Sequence, residues 1–98
     1  MNNLSFTLIQ THLHWEDKAA NLQMLQQKIE SISQKTEIVI LPEMFSTGFS
    51  MNPSRLAEPM DGGTVQWMKK MAGGQKVILT GSLIIKEGGK YYNRLIWM

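Results

Sequence analysis

Glu43 is the side chain in this sequence best placed to do chemistry. It follows Pro42 at the carboxyl end of the apolar run Ile38-Val39-Ile40-Leu41. A continuous, mostly β-branched run of this kind predicts a strand covered on both faces of a largely parallel sheet. Proline stops such a strand because it has no N–H for the ladder, and the carboxyl edge is where open α/β sheets bind ligands. A carboxylate there is either a structural anion paired with Lys or Arg, or a general base, and its placement alone leaves both readings open. The chain then turns sharply through Met44-Phe45-Ser46-Thr47-Gly48-Phe49. Gly48 permits a tight or positive-φ turn behind Glu43. Phe45, Thr47 and Phe49 are the candidates to shape a pocket, with ordinary core packing the alternative for the two aromatics.

Other chemistries find little support. His12 and His14 stand two apart with no carboxylate cluster beside them, and Glu16 and Asp17 read as the acidic start of a helix, so no metal site is expected. The Gly-Gly pairs at 62–63, 73–74 and 88–89 spell neither a dinucleotide fingerprint nor a P-loop, so no nucleotide cofactor is expected. Ser46, Ser50 and Ser82 lack the G-x-S-x-G setting of a serine hydrolase. The chain has no Cys, which excludes disulfides and thiolate metal sites.

The elements that must hold Glu43 can be read from periodicity. Residues 4–10 alternate Leu4, Phe6 and Leu8 with polar neighbours, a first strand. Trp15, Ala19, Leu22, Leu25, Ile29 and Ile32 recur at spacings of three and four, predicting a helix with Asp17 as its cap. Strand, helix and the strand at 38–41 make a βαβ unit, which places the two strands parallel. Residues 50–60 show no period and read as loop. Thr64 opens a second helix lined by Val65, Met68, Met71 and Ala72, with Gly73-Gly74 as its stop. Val77 to Ile85 is a strand with Gly81 inside it, and Gly88-Gly89 turns it into Tyr91 to Trp97 as a hairpin. The closing residues Arg94-Leu95-Ile96-Trp97-Met98 stop in mid-strand, so a truncated chain is expected.

Composition sets the class. Ninety-eight residues with 43% hydrophobic content suffice for one small core. No basic leader and no long apolar run is present, so a soluble, cytoplasmic protein with no membrane partner is expected. The net charge of +2 comes from singly spaced basic residues apart from Lys69-Lys70, a solvated surface rather than a nucleic-acid patch.

The segment from Leu41 to Phe49, the opening strand Leu4-Ser5-Phe6-Thr7-Leu8-Ile9-Gln10 and the strand bearing Thr80-Gly81-Ser82 together resemble the nitrilase superfamily of carbon–nitrogen hydrolases, most closely its ω-amidase-like branch. The resemblance implies an α/β fold, the N-terminal part of a nitrilase-type α-β-β-α sandwich, with residues 1–98 the N-terminal portion of one carbon–nitrogen hydrolase domain. It implies a Glu-Lys-Cys mechanism in which Glu43 is the general acid/base, packed against Phe45 and Phe49 in a dry pocket, and in which the Lys and the nucleophilic Cys follow Met98. Phe45, Thr47 and Phe49 fall in its substrate pocket, and no cofactor is involved. Asn93 is similar to an Asn the family carries before the strand leading to its Lys; a strand-end Asn making local backbone bonds is the other reading. The wording Met-Phe-Ser-Thr-Gly-Phe implies a small-molecule substrate, an ω-amide of a dicarboxylic 2-oxo acid. Alone, the chain is expected to be inactive and to associate with itself or another fragment through an uncovered sheet face. The rival reading is a short non-catalytic interaction module.

Overall fold

A computed structural model of the chain describes residues 3–98. Its elements in chain order are β1 (Phe6–Leu8), α1 (Lys18–Glu30), β2 (Ile38–Ile40), α2 (Pro53–Leu56), α3 (Gly63–Gln75), β3 (Ile78–Glu87) and β4 (Lys90–Trp97). The strands form one sheet in the order β1-β2-β3-β4, with β1, β2 and β3 parallel and β4 antiparallel to β3. Two βαβ units therefore share β2, and the turn that leaves its carboxyl end lies beside β3.

α1 begins at Asp17, whose Oδ1 accepts the Ala20 N–H at 3.1 Å. Its buried face is Asn21, Leu25 and Ile29, not the whole stripe read from the sequence. Trp15 precedes the helix and is exposed, because Glu16 takes a left-handed φ of 55° and turns the chain before the cap. α3 buries Val65, Met68, Met71 and Ala72 as expected, but it runs through Gly73-Gly74 to Gln75. The left-handed residue that ends it is Lys76 (φ 55°), and the N–H groups of Lys76 and Val77 both return to the Ala72 carbonyl. This αL cap satisfies a carbonyl that the helix end would otherwise orphan. The stretch expected to be loop contains the short α2, opened by Pro53 at a position where a missing N–H costs nothing. Gly88 and Gly89, at φ 58° and 75°, link the paired Glu87 and Lys90 in a tight hairpin whose central residues both need positive φ.

The sheet has two unlike faces. Val39, Leu79, Leu83, Ile85 and Ile96 pack with Leu25 and Ile29 of α1 and Met68 and Met71 of α3 into the main core. On the other face Phe6, Leu8, Leu95 and Trp97 are 61%, 59%, 63% and 61% exposed. Cross-strand pairing aligns Leu8, Ile40, Thr80 and Trp97 in one row of that face. Gly81 lies one residue on, facing the core. A Cβ there would stand 2.8 Å from Cδ1 of Phe45 and 3.0 Å from Cβ of Leu41, so the glycine admits the Phe45 ring against the β3 backbone.

Gly81→Ala should therefore destabilise the protein by about 1–3 kcal/mol, the usual cost of overpacking a filled core. Chemical denaturation measures it; an unchanged midpoint would show that the ring yields without cost.

Candidate active site

The turn bearing Glu43 is stitched to β3. The Leu41 N–H donates to the Thr80 carbonyl at 2.8 Å, extending the parallel ladder one residue past β2. Pro42 cannot donate, and the chain leaves the sheet. It is caught again at once: the Met44 N–H donates to Ser82 Oγ at 2.9 Å and the Phe45 N–H to the Ser82 carbonyl at 3.2 Å. Met44 holds φ 52°, which costs a non-glycine residue roughly 1–2 kcal/mol, and Gly48 holds φ 75°. The Met44 carbonyl accepts from the N–H groups of Thr47 and Gly48, closing the turn. Met44 buries its side chain with Leu56 and Ile84. Between these anchors Glu43 has its backbone fixed and its side chain exposed to solvent.

Beside Glu43 is a cavity of about 400 Å³. Ile40, Leu41, Gly81 and Leu95 give its apolar surface, and Glu43, Thr80, Ser82 and Asn93 its polar one. Asn93 Nδ2 donates to Glu43 Oε1 at 3.4 Å, a long bond that ties β4 to the turn. Thr80 is buried and its Oγ1 has no hydrogen-bond partner among the described residues.

None of Phe45, Thr47 and Phe49 is among the described lining residues. Phe45 is fully buried on the helix side, its ring 5.9 Å from that of Trp67. Thr47 is buried and donates its hydroxyl to the Gly48 carbonyl at 2.8 Å. Phe49 is 71% exposed, so the dry aromatic setting expected for Glu43 is not formed by these residues. The cavity instead uses Thr80 and Ser82, which sequence reasoning left without a role. Their signal was present: two hydroxyl residues two apart in an apolar strand share one face.

A second set of polar contacts braces the turn from below. Asn21 is fully buried, accepts the His14 N–H on Oδ1 at 2.6 Å, and donates Nδ2 to the carbonyls of His14 (2.7 Å) and Ser46 (2.9 Å). Glu16 donates its N–H to the Thr47 carbonyl at 2.7 Å, while its carboxylate takes the Ser50 hydroxyl and Nη2 of Arg55 (2.6 Å). The Ser50 hydroxyl and the Arg55 guanidinium hold the Glu16 carboxyl below the ordinary carboxylate range. Glu58 accepts both the N–H and the hydroxyl of Thr64 and pairs with Lys18 Nζ at 3.0 Å. Burial pushes the Glu58 carboxyl up, but the Thr64 hydrogen bonds and Lys18 outweigh it and leave it lowered. His12 and His14 are exposed, and His14 serves the site through its backbone. Among the described residues no group of three or more His, Asp or Glu gathers to hold a metal, and no helix is long and apolar enough to cross a membrane.

A family model for carbon–nitrogen hydrolases matches residues 6–98. The chain belongs to the carbon–nitrogen hydrolase family, and its structural neighbours have nitrilase-superfamily folds. It is 33% identical over 96 residues to the omega-amidase YafV of Yersinia enterocolitica, covering 98% of this chain and 37% of that protein. It is 28% identical over 94 residues to the 2-oxoglutaramate amidase of Bacillus subtilis, covering 93% of this chain and 36% of that one. A solved CN-hydrolase superfamily protein of Xanthomonas campestris superposes with a TM-score of 0.92 at 35% identity, over 99% of this chain and 37% of its own. Nit3 of Saccharomyces cerevisiae, a member of branch 10 of the nitrilase superfamily, gives 0.82 at 29%, over 97% of this chain and 39% of its own. The chain thus spans well under half the length of these relatives.

Two outcomes test the brace. Asn21→Ala leaves the buried Ser46 carbonyl and the His14 N–H without their partner and should cost about 3 kcal/mol, read as a lower denaturation midpoint. Glu16 and Glu58 are favoured in their charged forms by folding, so their contribution is complete above the ordinary carboxylate pKa and is lost as pH falls through the lowered folded value. Stability should therefore drop on acidification below about pH 4.5, and Glu58→Gln should flatten that drop. Identical acid profiles for variant and parent would refute the assignment.

Proposed function

We propose that the protein carrying this chain is an amidase that hydrolyses ω-amides of dicarboxylic 2-oxo acids, such as 2-oxoglutaramate or 2-oxosuccinamate, with Glu43 as general acid/base. The observation that carries the reading is the exposed Glu43 carboxylate, held at the rim of a cavity by a turn pinned on both sides. The names of the ω-amidase and 2-oxoglutaramate amidase relatives support the substrate class. In the covalent route, a thiol attacks the amide carbon, and a base must take the thiol proton and return it to the departing ammonia. Glu43 suits both transfers because its exposed side chain borders the cavity while its backbone is fixed. These 98 residues contain no Cys, so in this reading the thiol comes from the remainder of the enzyme; the resemblance to the nitrilase superfamily assigns the Lys that stabilises the tetrahedral intermediate to that remainder too. Phe45 and Thr47 serve from behind, by filling the space beneath the turn.

The apolar face bearing Phe6, Leu8, Leu95 and Trp97 supports a corollary: the 98-residue chain by itself is inactive and associates through that face. Sizing chromatography should show concentration-dependent association, and a monomer at every concentration would count against it.

Glu43→Gln in the complete protein should lower kcat/KM for 2-oxoglutaramate by about 10²–10⁴-fold with an unchanged circular dichroism spectrum. A folded variant that keeps its activity would remove Glu43 from the chemistry.

A further inference from the structure

We propose that the Thr80 hydroxyl contacts the substrate, hydrogen-bonding its carboxamide group across the cavity from Glu43. The inference rests on the amidase reading above and adds to it which end of the substrate this cavity holds. Thr80 is 5% exposed and lines the cavity, yet its Oγ1 has no partner among the described residues. A buried hydroxyl left unsatisfied costs about 1–3 kcal/mol, and native proteins leave few of them without a role. Its cross-strand neighbours Ile40 and Trp97 offer no side-chain acceptor, since one is aliphatic and the indole N–H only donates. The other polar side chains at the cavity each have a partner, Ser82 Oγ accepting the Met44 N–H and Asn93 donating an N–H to Glu43, whereas Thr80 Oγ1 has none among the described residues.

Charge decides which end of a monoamide enters. The Glu43 carboxylate faces the same space and repels a second carboxylate, whereas a neutral carboxamide is tolerated. Its C=O can accept the Thr80 O–H, or its N–H can donate to Oγ1, so one hydroxyl serves either edge. The distal carboxylate of a 2-oxo dicarboxylic monoamide is then gripped elsewhere, and Thr80 contributes to binding without choosing between dicarboxylic and monocarboxylic amides.

The test uses the full-length enzyme with Thr80→Val, which keeps the shape and removes the hydroxyl, and Thr80→Ser, which restores it. KM is measured for 2-oxoglutaramate and for a monocarboxylic amide of equal length, together with Tm. Thr80→Val should raise both KM values about tenfold, as one lost hydrogen bond does, leave their ratio unchanged and Tm no lower, and be rescued by Thr80→Ser. Unchanged KM values with a lowered Tm would overturn the proposal, because the hydroxyl would then bond another part of the protein. A changed ratio would overturn it too, placing the hydroxyl at the carboxylate end. If wild-type enzyme hydrolyses neither amide, the amidase reading fails and this proposal with it, an outcome distinct from both.

Discussion

The whole site depends on two residues of β3. Through its carbonyl, Thr80 carries the ladder one step past β2, and Ser82, with both its hydroxyl and its carbonyl, catches the chain again after Pro42. A residue between two such anchors has little backbone freedom, so Glu43 is presented without being buried. Each hydrogen bond contributes only about 1 kcal/mol net, yet together they offset the left-handed φ of Met44. Gly81 between them is bare because the Phe45 ring needs its space. The sequence Thr-Gly-Ser thus does three jobs on consecutive residues: ladder, ring seat and turn anchor.

Beneath the turn, the protein buries polar groups where apolar ones would pack more simply. Asn21 sits at a helix position that periodicity assigns to the core edge, and all of its bonds go to backbone groups of the loops at 11–17 and 43–49. Such a side chain stabilises less than a leucine could, but it specifies one arrangement of two irregular segments. Glu16 and Glu58 repeat the device with charge, joining those loops to α2 and joining α1 to the start of α3. Irregular segments have no ladder to satisfy their backbone, so side chains supply it.

The contrast between the sheet faces gives the site its setting. The helix side is a filled apolar core; the opposite side is covered at Ile84 by Met44 and Leu56, is bare at Phe6, Leu8, Leu95 and Trp97, and carries the polar group Glu43, Thr80, Ser82 and Asn93. Because side chains alternate along a strand, Thr80 and Ser82 must share the face opposite Gly81 and Leu83. Polarity within that face is confined to the carboxyl end of the parallel strands, the edge where open α/β sheets place ligands.

The sequence alone determined the parts governed by local rules. The β-branched run before Pro42, the Asp17 cap, the Val65-Met68-Met71-Ala72 stripe and the Gly88-Gly89 hairpin are each set by neighbours a few residues away, and each appears in the structure. The Leu41–Phe49 wording likewise carried the family. What it could not determine was anything decided between distant segments. Gly73-Gly74 reads as a helix stop, but α3 continues to Gln75 and ends at the left-handed Lys76. Phe45 and Phe49 read alike in a string, and only the tertiary fold sends one into the core against Gly81 and leaves the other in solvent. The approach of Asn93 to Glu43, fifty residues apart, exists because β4 folds back beside β3. Periodicity reports which face a residue occupies; what lies opposite that face is fixed by how the sheet is assembled.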